Sequence, residues 1–211
     1  MRTTKPWTIV CACLLAGTAL AQAPNSRTAP ENANEARLNK LQPPDKVMDI
    51  IGASAGMTIA EIGAGWGRYV VHLAERVGPE GNIYAEDIDG DALRHLAERC
   101  RRVGFANVET VLGDPNDPKL PAGKLDLIFV ISSYHHFGDP VALMSKARPA
   151  LKPTGRLAIA EWVPPKEGRG EGTSPEKMRS QMEEAGFVLE RIDKSLEAND
   201  LYIYLFRPGS R

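Results

Sequence analysis

The sequence predicts a doubly wound α/β protein. Its mostly parallel, seven-stranded sheet should end in an antiparallel hairpin and carry helices on both faces. From Met57 onward, short apolar runs alternate with amphipathic segments, and three closely spaced glycines follow the first run. Such alternation is typical of parallel strands covered by helices. The last two apolar runs have no helical segment between them, which predicts the hairpin.

Each element follows from its own pattern. Apolar runs predict strands over Thr58–Ile62, Gly81–Ala85, Val108–Leu112, Leu125–Ile131, Arg156–Ala160, Phe187–Lys194 and Leu201–Phe206. Amphipathic segments predict helices over Gly67–Val77, Asp91–Val103, Pro140–Ala150 and Pro175–Ala185. Pro43-Pro44-Asp45 begins a further helix that ends at Gly52, since proline favours the first helical turn. Asp89, Gly104 and Gly186 mark helix boundaries.

The first 23 residues have the three parts of a secretory signal peptide. A basic start with Arg2 and Lys5 precedes an apolar run over Thr8–Leu20, and Ala21-Gln22-Ala23 reads as a cleavage site. This pattern predicts export to the periplasm or the medium, with no stable membrane insertion after cleavage. An uncleaved membrane anchor is the alternative, although the apolar run is shorter than the roughly 20 residues that span a bilayer.

The rest of the chain divides into a polar segment and one domain. Residues 24–42 are rich in Asn, Pro, Arg and Glu and predict a flexible tether, and residues 43–211 form the domain. The whole chain has 26 basic and 27 acidic residues. This near-balance provides no basic field for nucleic acid. No cysteine pair or His/Cys cluster has metal-ligand spacing, so no metal is expected.

The segment Thr58–Arg68, T-I-A-E-I-G-A-G-W-G-R, is the most informative stretch. A strand, a glycine turn and a helix in this order form a cofactor-binding unit, because glycine lets a ligand lie against the main chain. The dinucleotide fingerprint G-x-G-x-x-G would need its third glycine at position 68, which is Arg68. This spacing argues against an NAD(P) oxidoreductase.

The pattern E-x-G-x-G-x-G from Glu61 to Gly67 resembles motif I of the class I S-adenosylmethionine (SAM) methyltransferases. The resemblance implies a Rossmann-like fold with SAM as cofactor, and it covers about residues 43–208, with motifs similar to those of ubiquinone-pathway and isoaspartyl methyltransferases. It implies that Glu61 lies near the methionine ammonium. The glycine turn, with Gly63, Ala64, Gly65 and Gly67, would pack against the amino-acid end and ribose.

Two further strand ends extend the resemblance. A carboxylate at the end of the second strand can accept hydrogen bonds from both ribose hydroxyls, and the family register assigns this role to Asp87 and the adenine contact to Ile88. Glu86, one position earlier, is the alternative ribose ligand, but it is expected to face the other side. Gly113 and Asp114 resemble the motif that binds the adenine amino group, with the second contact left to Asn116 or Asp117 because Pro115 has no N–H.

The fourth strand ends in Ser132-Ser-Tyr-His-His136, where the methyl group and its acceptor should meet. Tyr134, His135 and His136 are the catalytic candidates, because histidine is a suitable base near neutral pH. Local packing of one histidine is the alternative. His72 and His95 are expected to face solvent.

These features predict a SAM-dependent methyltransferase that acts on an O, N or S nucleophile of a small or medium organic acceptor. Because SAM is a cytosolic metabolite and the first 23 residues predict export, an exported SAM- or nucleoside-binding module without turnover is the alternative. A substrate lid over Gly168–Thr173 is expected by analogy with related enzymes, with a plain surface loop equally compatible.

Overall fold

The computed structural model describes residues 26–164 and 171–210. The predicted signal peptide, and the first half of the predicted substrate lid, lie outside these residues. No helix within the described ranges is long and apolar enough to cross a membrane.

The sheet has seven strands, as predicted. They are β1 (Thr58–Ile62), β2 (Asn82–Asp87), β3 (Val108–Leu112), β4 (Leu125–Ile131), β5 (Leu151–Trp162), β6 (Phe187–Leu196) and β7 (Leu201–Pro208). Their order is β3-β2-β1-β4-β5-β7-β6, in which β7 runs antiparallel to both of its neighbours. The first five strands are parallel. The predicted terminal hairpin is therefore confirmed, and β7 inserts between β5 and β6.

The helices are α1 (Ala33–Leu41), α2 (Pro44–Ile51), α3 (Val70–Val77), α4 (Gly90–Arg102), α5 (Pro140–Ala147) and α6 (Pro175–Glu184). Helix α3 begins three residues after the predicted Gly67, because the glycine turn keeps a positive φ through Gly67. The predicted helix 140–150 ends at Ala147 and continues as a 3-10 turn, Arg148–Ala150. Pro149 lacks the N–H that another α-helical turn would use.

Both faces of the sheet are covered, as the alternating pattern predicted. Ile59 of β1 and Phe129 of β4 belong to one buried apolar cluster. Their neighbours along the strands, Ala60 in β1 and Ile128 in β4, belong to the cluster on the opposite face. Successive side chains of a strand point to opposite faces, so both faces of these central strands are buried. The carboxyl ends of β1, β2 and β4 meet at one edge.

The prediction of a flexible tether over 24–42 is wrong for the described residues 26–42, which we call the strap. The strap contains α1, whose first turn is capped by the Asn32 side chain accepting from the Glu35 N–H at 2.9 Å. Arg27 donates to the carbonyl oxygens of Val103 and Gly104, at 3.0 and 2.9 Å. Although many strap residues are exposed, several of its polar side chains have partners on α4 and the loop after it.

Candidate functional site

A cavity of about 650 Å³ opens at the carboxyl ends of β1, β2 and β4. Of the residues predicted to bind a ligand or to act in catalysis, Gly63, Ala64, Gly65, Asp87, Ile88, Asp114 and His136 line it. A volume of this size is typical of a small-molecule or cofactor site.

The glycine turn presents main chain to this cavity. Gly63 has φ +76°, and its N–H and that of Ala64 both donate to the carbonyl oxygen of Glu86, at 2.9 and 2.8 Å. Gly65 has φ +52° and no neighbouring atom within 4 Å of where a Cβ would stand. At Gly65 the turn therefore offers a ligand an open surface without side chains, whereas at Gly63 the Ser133 side chain fills the space where a Cβ would stand.

Gly67 does not line the cavity, unlike the other residues predicted from the turn. A Cβ at Gly67 would come within 2.8 Å of Leu96 Cγ on α4. The third glycine thus allows the turn to pack closely against α4.

Asp87 is held rigidly at the cavity wall. Its Oδ2 accepts from the Gly65 N–H at 2.7 Å, and its Oδ1 accepts from the Asp89 N–H at 2.9 Å. Each carboxylate oxygen keeps a further lone pair for a ligand. Ile88, 60% exposed, adds an apolar surface to the same wall. This arrangement suits a pair of ribose hydroxyls beside a flat base.

Glu86 does not face away from the site, so that expectation is wrong. It lines the same cavity although it is only 2% exposed. Its carboxyl group occupies the space beside Gly113, where a Cβ would overlap Glu86 Oε1. Gly113 therefore makes room for Glu86 and does not itself line the cavity. Burial raises the pKa of Glu86 to about 8, and the neighbouring Asp87 adds to this effect.

Glu61 lies at the end of β1, just behind the cavity wall formed by Ile62 and Gly63. It is 2% exposed, and its Oε2 has no hydrogen-bond partner in the described part of the chain. Burial raises the pKa of Glu61 to about 8, against the lowering effect of Arg68 and with a further increase from Asp87. A buried carboxyl with an open oxygen is suited to a cationic group nearby.

This burial predicts that stability falls as pH rises. The folded pKa of Glu61, about 8, exceeds its ordinary value of 4.5. The contribution of Glu61 to the free energy of unfolding is therefore fully present below about pH 4.5 and is lost as the pH rises through about 8. We expect the free energy of unfolding in urea to decrease less between about pH 5 and pH 8 in Glu61→Gln than in the wild type. Glu80→Gln, at an exposed position, should keep the wild-type dependence, and an unchanged slope in Glu61→Gln would contradict the assignment.

Asp114 lines the cavity but is largely exposed. Its Oδ2 pairs with Lys119 Nζ at 2.9 Å, and its main chain exchanges two hydrogen bonds with Asp117. Pro115 also lines the cavity, whereas Asn116 and Asp117 do not. The second adenine contact from either of these two residues therefore stays a prediction, and neither residue lies at the cavity wall.

The three catalytic candidates after β4 have different surroundings. Tyr134 is buried, donates its hydroxyl to Gln181 Oε1 at 3.0 Å and packs in the core, so its prediction as a catalytic residue is wrong. His136 is exposed and lines the cavity. His135 lies beside it, with ring centroids 4.0 Å apart, and its Nδ1 is 2.7 Å from Glu161 Oε1. Of the three candidates, His136 therefore lines the cavity, whereas Tyr134 and His135 are held by local contacts behind it.

Several lining residues were missed by sequence analysis. Glu31, Glu35 and Leu38 come from the strap, and Arg99 comes from α4. Arg99 lies on the side of α4 that buries Leu93, Leu96 and Cys100. A charged residue within an apolar stripe was the available signal, but its partner Glu35 is 64 residues away.

His95 was expected to face solvent, but its Nε2 lies 2.7 Å from Glu31 Oε2 and its ring packs on Trp66. His72 was also expected to face solvent, but its Nε2 is buried. This burial lowers the pKa of His72 to about 4. The His95 contacts connect the strap to the glycine turn.

Comparisons with known proteins agree with this fold and identify a methyltransferase domain. A family model described as a methyltransferase domain matches residues 53–203. A SAM-dependent methyltransferase from Aquifex aeolicus shares the fold with a TM-score of 0.70 and 27% identity, over 82% of this chain and 96% of that chain.

Two curated relatives are similar over part of their length. Nocamycin O-methyltransferase of Saccharothrix syringae is 32% identical over 57% of this chain and 43% of its own length. Aklanonic acid methyltransferase of Streptomyces sp. (strain C5) is 26% identical over 56% of this chain and 54% of its own length. The chain thus spans about half the length of these relatives. Because the family model covers most of the chain, this protein belongs to the methyltransferase-domain family, with the fold of class I SAM-dependent enzymes.

Proposed function

We propose that this protein transfers a methyl group from SAM to an O, N or S nucleophile of a small or medium organic acceptor. One observation carries the proposal: the Asp87 carboxylate, held by two main-chain N–H groups, lies beside an open glycine turn. The cavity residues fit SAM. Asp87 would hold the ribose and Ile88 the adenine, both from the cavity wall. Glu61 lies behind that wall, and its buried oxygen, without a hydrogen-bond partner among the described residues, would face the positive methionine end.

When bound, SAM would supply a methyl group attached to a positively charged sulfur. As the acceptor atom forms a bond to the methyl carbon, the carbon–sulfur bond would break and leave its electron pair on sulfur. The chain contributes positioning and exclusion of water, which supply much of the rate in such reactions. Leu38 of the strap and Phe137 after β4 add apolar surface to the cavity. A histidine at this edge would take the acceptor's proton.

The relatives support a small-molecule acceptor. Two of them are named for nocamycin O-methylation and for aklanonic acid. The first name favours oxygen as the methylated atom. We therefore propose oxygen acceptors as the first class to screen.

The second candidate is an exported SAM- or nucleoside-binding module without turnover. It is favoured by the basic start, the apolar run and the Ala21-Gln22-Ala23 site, from which we propose that residues 1–23 are a signal peptide. Cell fractionation with amino-terminal sequencing tests this proposal. We expect an exported chain that begins at Pro24, whereas a cell-bound chain that retains Arg2 would indicate an anchor or a cytosolic protein.

Calorimetric titration of the purified protein with SAM, S-adenosylhomocysteine and NAD tests the cofactor. We expect both SAM species to bind with Kd on the order of micromolar and NAD not to bind. Methyl-labelled SAM and a panel of phenols, enols, amines and thiols then test turnover. Label transfer supports the enzyme, and SAM binding without transfer supports the module. Failure to bind either SAM species contradicts both candidates.

A further inference from the structure

A buried carboxylate lies directly behind the histidine pair. Glu161, at the carboxyl end of β5, has no exposed surface. Its Oε1 is 2.7 Å from His135 Nδ1 and also accepts the Trp162 N–H at 2.9 Å. The His135 side chain is only 10% exposed. A charged residue in the otherwise apolar strand Leu157–Trp162 is costly unless it is partnered.

The chemistry of this contact determines which nitrogen of His135 carries the proton. An ionised carboxylate can only accept hydrogen bonds, so Nδ1 must be the donor. In the neutral ring, Nε2 then holds a lone pair. Burial raises the pKa of Glu161, while the contact with His135 acts in the opposite direction and favours the ionised form. Nε2 is itself buried and has no hydrogen-bond partner within residues 26–164 and 171–210.

Contacts connect His135 to two cavities. Its ring packs against His136, which lines the large cavity. Its Nε2 is 4.0 Å from Glu171 Oε2, and Glu171 and Trp162 line a second cavity of about 300 Å³. Leu38 of the strap contributes to both cavities. His135 lines neither cavity itself, but it lies between His136 of the large cavity and Glu171 of the second, and we call this position the junction.

We propose that Glu161 is a positioning residue that holds His135 with its proton on Nδ1, so that Nε2 is free to take a proton from an acceptor bound at this junction. The inference rests on the proposed methyl transfer. The acceptor's X–H proton goes to Nε2, and the electron pair of that bond forms the new bond to the methyl carbon. Such a base is useful for a hydroxyl, which keeps its proton at neutral pH, and not for a carboxylate, which has already lost it. Together with the oxygen acceptors proposed above, this base favours a hydroxyl over a carboxylate as the acceptor class.

The tautomer of His135 tests this assignment without requiring a known acceptor. The full chain has four histidines, so ¹⁵N-histidine labelling gives a simple spectrum that His135→Asn and His136→Asn can assign. At about pH 8, where an ordinary imidazole is neutral, long-range ¹H–¹⁵N correlations should show His135 protonated on Nδ1. In Glu161→Gln the amide can donate to Nδ1, so the population should move toward the Nε2-protonated form.

Asp126→Asn is the matched control. Asp126 accepts from Lys152 and from the Thr58 N–H at the opposite end of the sheet, so its loss should leave the His135 tautomer unchanged. An Nε2-protonated ring in the wild type, or the same signals in Glu161→Gln as in the wild type, would overturn the proposal. The tautomer of His135 in the wild type can overturn the proposal by itself, even if a variant fails to fold.

Adding S-adenosylhomocysteine to the same samples separates the two proposals. It should shift the His136 signals in the wild type and bind Glu161→Gln with an unchanged Kd. Absence of any shift in the wild type counts against the proposed function, whereas the tautomer is measured independently of it. A loss of binding in Glu161→Gln would make Glu161 a residue of the cofactor site and would overturn its positioning role.

Discussion

Replacing Arg99 with Met should lower the free energy of unfolding by about 3–5 kcal/mol, because it leaves a buried carboxylate without its partner. Arg99 is 2% exposed, and its Nη1 is 2.7 Å from Glu35 Oε1, which is also buried. Its Nη2 donates to the Ala29 carbonyl oxygen at 3.2 Å. Met keeps much of the apolar stem, so the loss reports on the charge and its hydrogen bonds.

Arg102→Met is the matched control for urea unfolding. Arg102 lies on α4, like Arg99, and pairs with Glu31 of the strap. Its side chain is 57% exposed, so the loss of this pair should cost less than about 1 kcal/mol. The double variant Arg99→Met/Glu35→Met should recover much of the lost stability, because neither charge then remains buried alone. Equal costs for Arg99→Met and Arg102→Met would contradict a special role for the buried pair.

Loss of the Arg99–Glu35 pair should also weaken SAM binding. Both residues line the cavity, as do Glu31 and Leu38 of the strap. If the strap separates from α4, this wall of the cavity opens to water. Titration of Arg99→Met with SAM should therefore give a higher Kd than titration of Arg102→Met, at a temperature where both are folded.

Replacing Asp87 with Ala should weaken SAM binding by about 1–3 kcal/mol, the scale of a hydrogen bond to a charged group. This corresponds to a Kd increase of about 5- to 150-fold. The substitution removes the acceptor that faces the cavity, and it also leaves the Gly65 and Asp89 N–H groups without their partner. S-adenosylhomocysteine has the same ribose, so its affinity should fall by the same factor.

Asp91→Ala is the control for Asp87→Ala. Asp91 lies in the first turn of α4, pairs with Arg94 and is largely exposed. Its removal changes the local charge equally but should leave SAM affinity unchanged in calorimetry. Equal effects of the two substitutions would indicate a general charge effect, and an unaltered Kd in Asp87→Ala would refute the ribose assignment.

Local patterns were sufficient for most of the fold. The apolar run Thr58–Ile62 and the glycines after it predicted β1 and the turn, because strand periodicity and positive φ are properties of a few adjacent residues. The position of Asp87 at a strand end placed it at the cavity for the same reason, since carboxyl ends of parallel strands share one edge. The missing helix before β7 predicted the hairpin.

The strap was mispredicted because its stability does not come from its own sequence. Glu35 and Arg99 are 64 residues apart, and Arg27 and Phe105, whose ring the Arg27 guanidinium covers, are 78 positions apart. A polar segment with few apolar residues has the composition of a disordered chain until those partners are known. Similarly, Glu86 was expected to lie away from the site because it alternates with Asp87 along β2. Both residues line the cavity nevertheless, because the cavity surrounds the carboxyl end of this strand.

The sequence by itself determined the order of strands and helices from residue 43 onward, the glycine turn, and the acid at the end of β2, since each depends on neighbouring residues. Only the tertiary structure decided which polar side chains are partners. It brought Glu161 to His135, Arg99 to Glu35 and Glu86 to Gly113. A buried charge is stabilised by whatever group the fold brings within hydrogen-bond distance, and that group can come from any part of the chain.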